Sequence, residues 1–401
     1  MPHEAVHPVY RRRGFGRSLA AAYCALSVST WCVAATAPAH IPPPPVDPIC
    51  RLIPETQERL CALEISAMGT LFRIRWIDTP SEYAHRADSL AQQAPALLAA
   101  IEQALSDYRA RSEARQLPAQ LWTYGAARPS AWFARTWRES MRWHVATAGR
   151  FDVTVGKATR LWRYHARRGS LPSEADLKTA CQTIGMHRFV LEGDSLRLDR
   201  AIQPRVTPES ATESAPRESV RTARETPGAG VRGATEGPLP AAATVEMPAF
   251  DFGGIGKGIA ADALSERMRA MGIARGIVDA GGDLLAWGAG PPQPGPPQPG
   301  PPQPGATPRA ARGWMITLAD GRVDELIDGA VATSGPTFRS VTVDGTTYSH
   351  IFDPITCQPS TQPVGVSVWA RDATSADAMA TAVTLGWTPP TTVRTHFYIN
   401  P

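Results

Sequence analysis

The chain has 401 residues, enough for one large or two medium domains, and 43% of them are hydrophobic, which supports a real core. A net charge of +4 is weak over this length and comes partly from an N-terminal arginine cluster, so nucleic acid is not an expected partner. The 38 prolines and 33 glycines are unevenly spread, and many fall in stretches that do not belong to a fold.

Residues 1–40 read as an export signal. Arg11, Arg12, Arg13 and Arg17 form its charged region, Ser18–Ala35 its apolar region, and Val33–Ala39 offers small-residue cleavage sites. Arg12-Arg13-Gly14-Phe15 also fits a loose twin-arginine pattern. The alternative is an anchor that associates with the inner membrane. The polar residues within the run and its length of about 18 residues favour cleavage and a periplasmic destination. Cys24 and Cys32 follow Tyr23 and Trp31, which argues against a lipoprotein site. Export would leave Cys50, Cys61, Cys181 and Cys357 in a compartment that permits disulfides, and Cys50 and Cys61 could close a small loop. No Cys-x-x-Cys or Cys/His metal spacing exists, so zinc is not expected.

Residues 41–60 read as a proline-rich spacer before a single domain over 61–390. Phe72, Ile74 and Trp76 alternate with Arg73 and Arg75, the pattern of a half-buried strand. Ser81–Ser106 predicts a helix, and Trp132–Ala148 a second one stopped by Gly149. A short helix is expected within Pro172–Gly185, and a hairpin from Phe189–Leu191 and Ser195–Leu198 over Gly193-Asp194. Residues 204–240 have almost no large apolar side chain and are expected to be a flexible insertion, as is the threefold P-P-Q-P-G run over 291–305. Ile259, Ala263, Leu264, Met268 and Met271 recur at helical spacing before Gly272, and Ile277–Ala280 reads as a buried strand. Further strands are expected at Trp314–Leu318 and Gly365–Trp369, with a hairpin from Val341–Val343 and Thr346–His350. Ser375–Leu385 reads as a helix of small residues, followed by a short, proline-bearing, non-periodic tail ending at 391–401.

Between these elements lie residues that suit chemistry. Gly253, Gly254, Gly256 and Gly258 let backbone approach a ligand closely, and the helix they open presents free N–H groups and a positive dipole end to a phosphate, with Lys257 adding a charge. The alternative is a tight turn carrying a solvated lysine. A Walker loop is excluded because Gly258 follows the lysine, and a dinucleotide fingerprint because Ile259 stands where Gly or Ala is required. Asp377 and Thr381, four apart on one helix face, are hard oxygen donors suited to magnesium, or else a cap and a surface polar group. His350, with Asp353 three residues on, is a base near neutral pH or a structural histidine. Asp152 and Asp251 adjoin aromatics at loop starts and either bond a heterocycle or cap a turn.

The order of motifs is more specific than any one of them. Met68-Gly69-Thr70, Tyr108, Phe151–Gly156, the glycine–lysine loop with Asp279–Asp283, Ala332–Gly335, Tyr348–Pro354 and Ala376–Thr381 together resemble the ApbE family of FAD:protein FMN transferases from about Ser66 to Gly386. The resemblance implies an α+β fold: a compact, T-fold-like flavin-transferase domain with mixed or antiparallel sheets and packed helices. It implies magnesium-dependent transfer of FMN from FAD to a Thr or Ser hydroxyl of an acceptor protein, with release of AMP. Carried onto this chain, FAD would contact Met68, Tyr108, Arg150, Phe151, Asp152, Asp251, Lys257 and Phe352. Magnesium would take backbone oxygens of Gly254 and Ala380 and the side chains of Asp377 and Thr381, and His350 would be the base. An FAD-binding protein without transferase activity, or an FAD pyrophosphatase, are the alternatives. The family continues beyond the Asp377 helix with a helix and a strand, so the short tail here leads us to expect its last core element to be missing.

Overall fold

The computed structural model describes residues 47–199, 247–292, 313–335, 340–343 and 345–399. The export signal and the two insertions therefore lie almost wholly outside the described residues. The chain begins with β1 (Ile49–Ile53), β2 (Glu58–Ala67) and β3 (Thr70–Asp78). Met68 and Gly69 both have positive φ, 52° and 72°, as a two-residue hairpin turn requires, and they set β2 against β3 in a register running from Arg59–Asp78 to Ala67–Thr70.

Helices α1 (Tyr83–Leu105), α2 (Glu113–Tyr124) and α3 (Ala131–Ala146) follow, with β4 (Ala126–Ala127) between the last two. Next come α4 (Gly156–Ala166), α5 (Glu174–Cys181), β5 (Phe189–Glu192) and β6 (Ser195–Leu198). Ser173 caps α5 by accepting from the Asp176 N–H at 3.1 Å. The second half holds α6 (Gly256–Ala270), β7 (Arg275–Ala280), β8 (Leu284–Trp287), β9 (Trp314–Thr317), β10 (Val323–Leu326) and β11 (Gly329–Ser334). The short pairs β12 (Val341–Val343) with β13 (Thr346–Tyr348), and β14 (Phe352–Asp353) with β15 (Gln358–Pro359), precede β16 (Val364–Ala370), α7 (Ala373–Thr384) and β17 (Thr395–Ile399).

Among the described residues one eight-stranded sheet runs β1-β2-β3-β7-β8-β11-β16-β17, every neighbouring pair antiparallel. Period-two alternation sorts its side chains. Phe72, Ile74, Trp76, Val278, Ala280, Leu285, Ala330, Ala332, Val366 and Val368 join the main core, into which α1, α3, α6 and α7 also send their apolar faces. Ile277, Leu284, Ala286 and Val331 point the other way, where the β9–β10 hairpin covers them with Trp314, Ile316 and Leu326. Burying a side chain such as Phe72 or Ile74 is worth about 1.5–3 kcal/mol, so this double-sided sheet is the rigid frame for the loops at its ends. A satellite core of Val155, Ala158, Leu177, Ala180 and Phe352 packs α4 and α5 against β14.

Two boundaries differ from the sequence reading. The spacer is not wholly a spacer: Ile49–Ile53 is an edge strand paired with β2 and bound to it by a Cys50–Cys61 disulfide. The tail is not structureless. Thr395–Ile399 pairs with β16 from Val364–Ile399 to Val368–Thr395 and forms an edge of the sheet, while no helix lies between α7 and β17 among the described residues. Helix α2 and strand β10 were not foreseen. Pro118 sits inside α2 and breaks the sequence signal, yet the helix forms because Ala114, Leu117 and Leu121 bury against the main core. No helix among the described residues is long and apolar enough to cross a membrane.

Candidate functional site

The site is built around the loop that opens α6, where the ends of several elements meet. Gly254 lies against Thr381 of α7 so closely that an added Cβ would stand 2.7 Å from the Thr381 hydroxyl oxygen and 3.3 Å from Phe151 Cε2. A Cβ on Gly256 would meet the Met68 methyl at 3.4 Å, an ordinary contact. Glycine is thus required at Gly254 for close approach, and Phe151, Gly254 and Thr381 lie together.

Lys257 and Asp377 also meet. The Lys257 ammonium pairs with Asp283 and lies 3.8 Å from Oδ1 of Asp377. Oδ2 of Asp377 accepts the Gly258 N–H at 3.1 Å, so the carboxylate caps the first turn of α6. Asp283 stands behind the Gly281-Gly282 turn, and its Oδ1 accepts the Thr333 N–H at 3.2 Å. Both carboxylates are buried. Burial pushes the Asp377 carboxyl up to about 7; the Lys257 charge opposes that rise and the Asp283 charge adds to it.

A second cluster sits at the other end of the loop. Oδ1 of Asp251 accepts the Gly253 N–H at 2.9 Å and Oδ2 accepts the Thr159 hydroxyl at 2.8 Å, while the Arg163 guanidinium lies 3.8 Å from Oδ2. Arg163 also pairs with Asp107 and stands over the Tyr108 ring, 4.7 Å from its centroid. Tyr108 is otherwise 60% exposed, a ring open to a stacking partner. Burial, with Asp251 next, raises the Asp107 carboxyl above its ordinary range, against the pull of Arg163.

Other predicted residues have internal partners. Asp152 is buried and accepts from Thr154 N at 2.7 Å, Thr154 Oγ1 at 2.5 Å and Met186 N at 3.2 Å, so its carboxylate shapes the turn that presents Phe151. Arg150 donates to Asp353 Oδ2 and to the Leu385 carbonyl, both at 2.8 Å, bridging the β14 turn to the end of α7. It lines a cavity of about 710 Å³ with Tyr348, Asp353, Gln358 and Thr384, at the opposite end of α7 from Asp377. The Phe352 ring is buried in the satellite core. The carbonyl of Ala380 accepts the Thr384 hydroxyl at 2.9 Å. His350 stands exposed on the bend after β13.

A hard divalent cation fits this donor set. Asp377 and Thr381 stand one turn apart on α7, Thr381 lies against the Gly254 backbone, and the Asp377 carboxylate already faces a cation, the Lys257 ammonium, at 3.8 Å; carboxylate, hydroxyl and backbone carbonyl are all hard oxygen donors. No group of three or more His, Cys, Asp or Glu is clustered for a metal among the described residues. Sequence reasoning gave no role to Asp283, Asp262 or Arg163. Asp283 lay in a quoted motif, and Asp262 was a charge within the apolar pattern of α6, a signal that it needed a partner.

The family and fold of the chain follow from its likeness to known proteins. The sequence model of the ApbE family matches residues 68–387. The FAD:protein FMN transferase of Vibrio cholerae serotype O1 is 25% identical over 332 residues, 79% of this chain and 78% of that protein. The crystal structure of the Pseudomonas stutzeri flavinyl transferase ApbE, apo form, superposes with a TM-score of 0.63 at 20% identity, covering 86% of this chain and 92% of that one. The ApbE protein of Thermotoga maritima gives a TM-score of 0.57 at 22% identity, over 81% and 86% of the two chains. With most of its length matched by the family's own pattern and its fold shared with these structures, this chain belongs to the ApbE family.

Proposed function

We propose that this protein transfers the FMN moiety of FAD to a Thr or Ser hydroxyl of an acceptor protein and releases AMP. Family membership and relatives named FAD:protein FMN transferase support the reading. Within this chain one observation carries it: Asp377, one turn before Thr381 on α7, is held against the Lys257–Gly258 turn, with the lysine ammonium 3.8 Å from its carboxylate.

The chemistry follows from what FAD is. Attack of the acceptor oxygen on the FMN phosphorus forms one phosphoester bond and breaks the diphosphate bridge, AMP leaves with the bridging oxygen, and the hydroxyl proton passes to a base. Such a transfer depends on alignment and charge neutralisation more than on covalent help. Magnesium held by Asp377, Thr381 and the Gly254 backbone would supply the neutralising charge. Lys257 would lie beside the diphosphate as a second cation. Tyr108 would stack on a ring of the dinucleotide, held flat by Arg163. His350 is the proposed base, a role worth about 10²–10⁴-fold. The arginine-rich and apolar N-terminal run supports export to the periplasm, with inner-membrane association as its variant.

The test is to incubate the purified protein with FAD, Mg²⁺ and Thr-bearing acceptor proteins. The expected result is AMP in step with covalent flavin on a Thr or Ser, found by mass spectrometry and lost with chelator. AMP and free FMN regardless of acceptor would replace transfer by pyrophosphatase action. Bound FAD with no turnover would reduce the chain to a flavin-binding protein.

A further inference from the structure

Helices α6 and α7 are joined by polar contacts on one face of each. Gly258 N donates to Asp377 Oδ2 at 3.1 Å. One turn further along α6, the Asp262 carboxylate accepts three bonds from the start of α7: Ala373 N to Oδ1 at 2.9 Å, Thr374 N to Oδ2 at 2.9 Å and Thr374 Oγ1 to Oδ2 at 2.5 Å. Asp262 lies four residues after Gly258, and Ala373 four before Asp377, so the contacts form two rungs spaced by a helical turn and running in opposite chain directions. Nothing separates the helices at this level: a Cβ on Gly258 would stand 2.4 Å from the Ala373 carbonyl oxygen.

Asp262 is buried, and an aspartate in that setting is expensive unless its oxygens are satisfied. Three donors satisfy it here. The first turn of α7 already has its own cap, Asp372, whose Oδ1 accepts the Ser375 N–H at 2.7 Å. Asp262 takes two further N–H groups of that turn, those of Ala373 and Thr374, beyond the one that Asp372 accepts. Its distinctive effect is to tie the α7 N-terminus to the helix that carries Lys257.

We propose that Asp262 is a positioning residue: by clamping the first turn of α7 onto α6 it fixes the depth at which the Asp377 carboxylate stands opposite Lys257 and the Gly258 N–H. It touches neither FAD nor the reacting atoms. The inference deepens the proposed function and rests on it for the roles of Asp377 and Lys257.

Three variants separate a clamp from general stability. In Asp262→Ala the Gly258 amide is expected to exchange its hydrogen at least about tenfold faster, while the Leu264 and Met268 amides in the same helix keep their protection. The Mg²⁺ concentration for half-maximal turnover should rise, and kcat fall, by about tenfold, the low end of what losing a direct partner of a metal ligand costs, because Asp262 acts on Asp377 only through the first turn of α7. Thr374→Val, which deletes one of the three donors and nearly conserves volume, should shift both readouts the same way by a smaller factor, and it keeps the test open if Asp262→Ala does not fold. Asp372→Ala should lower the melting temperature without changing the Mg²⁺ requirement or Gly258 exchange. Unchanged Gly258 exchange in folded Asp262→Ala and Thr374→Val overturns the clamp, as does an equal change in Asp372→Ala. A wild-type enzyme indifferent to Mg²⁺ would instead sink the metal reading, and the exchange measurement would still decide the clamp.

Discussion

The Lys257 ammonium faces two buried carboxylates, paired with Asp283 and 3.8 Å from Oδ1 of Asp377. One positive charge therefore answers two negative ones where water is scarce. The excess is met by a proton or by a cation, and the Asp377 carboxyl, pushed up to about 7 by burial first, is where it falls.

This gives a pH dependence of definite sign. The folded value of Asp377 lies above its ordinary value of 3.8, so between about pH 4 and pH 7 the folded state keeps a proton that the unfolded chain gives up. Stability in chelator should fall as pH rises through that window, by an amount on the order of a few kcal/mol. Urea unfolding at pH 4.5 and 7.5 checks it: Asp377→Asn should lose less on going to the higher pH than wild type, and Mg²⁺ should restore wild type but not the variant. Parallel pH profiles for the two proteins would remove Asp377 as the titrating group.

Lys257→Met removes the cation and leaves both carboxylates. Breaking a buried pair in this way costs about 3–5 kcal/mol at full burial, and since the lysine side chain is 30% exposed the lower end is expected. The loss should shrink at pH 5.5, where Asp377 carries its proton. Turnover should fall by about 10²–10³-fold, the size of one electrostatic donor to a transition state. Denaturation at two pH values, beside AMP release, separates the structural effect from the catalytic one.

Much of the frame was legible in residue spacing. The α6 and α7 patterns and the alternation of Phe72, Ile74 and Trp76 are local signals, and each element formed where its period placed it. Asp377 and Thr381 could be paired from the sequence because four residues on a helix bring side chains to one face. What stayed hidden was partnership. Asp283 and Asp262 act through residues far along the chain, and no local rule pairs Lys257 with the one or α7 with the other. The packing of the Phe352 ring against α4 and α5 was equally out of reach of a local rule. Strand β17 was missed because five residues at a sheet edge, four of them half-buried or less, carry no clear period of two.

Gly254→Ala tests the contact between the loop and α7. The added methyl would lie 2.7 Å from the Thr381 hydroxyl oxygen and 3.1 Å from its methyl, so Thr381 must turn away. Overpacking of this kind costs about 1–3 kcal/mol. Turnover should drop further than stability, because the displaced hydroxyl is one of the proposed ligands. Gly254→Ala combined with Thr381→Ala should regain the stability and none of the activity. Recovery of activity in the double variant would show that Thr381 is a neighbour and not a ligand.

The Cys181–Cys357 disulfide joins the end of α5 to the turn between β14 and β15 across 176 residues of sequence. The two short sheets of this segment are not part of the eight-stranded sheet. The segment carrying His350 and Asp353 is held to the body by the Phe352 ring, by Tyr348 against Trp162 at 5.0 Å, by the Arg150–Asp353 pair and by this cross-link. Closing so long a loop constrains the unfolded chain by about 4–5 kcal/mol on the chain-entropy account. Cys181→Ser with Cys357→Ser should therefore lower the melting temperature and also slow transfer, since the exposed His350 would be less firmly placed. The Cys50–Cys61 bridge closes a span of only 11 residues on the far edge strand, so its removal should cost less stability and leave transfer unchanged. A dithiol reductant should slow wild type reversibly and leave the Cys181/Cys357 double variant as it was. If reduced and oxidised wild type transfer flavin at the same rate while differing in melting temperature, the cross-link stabilises the fold and does not position the base.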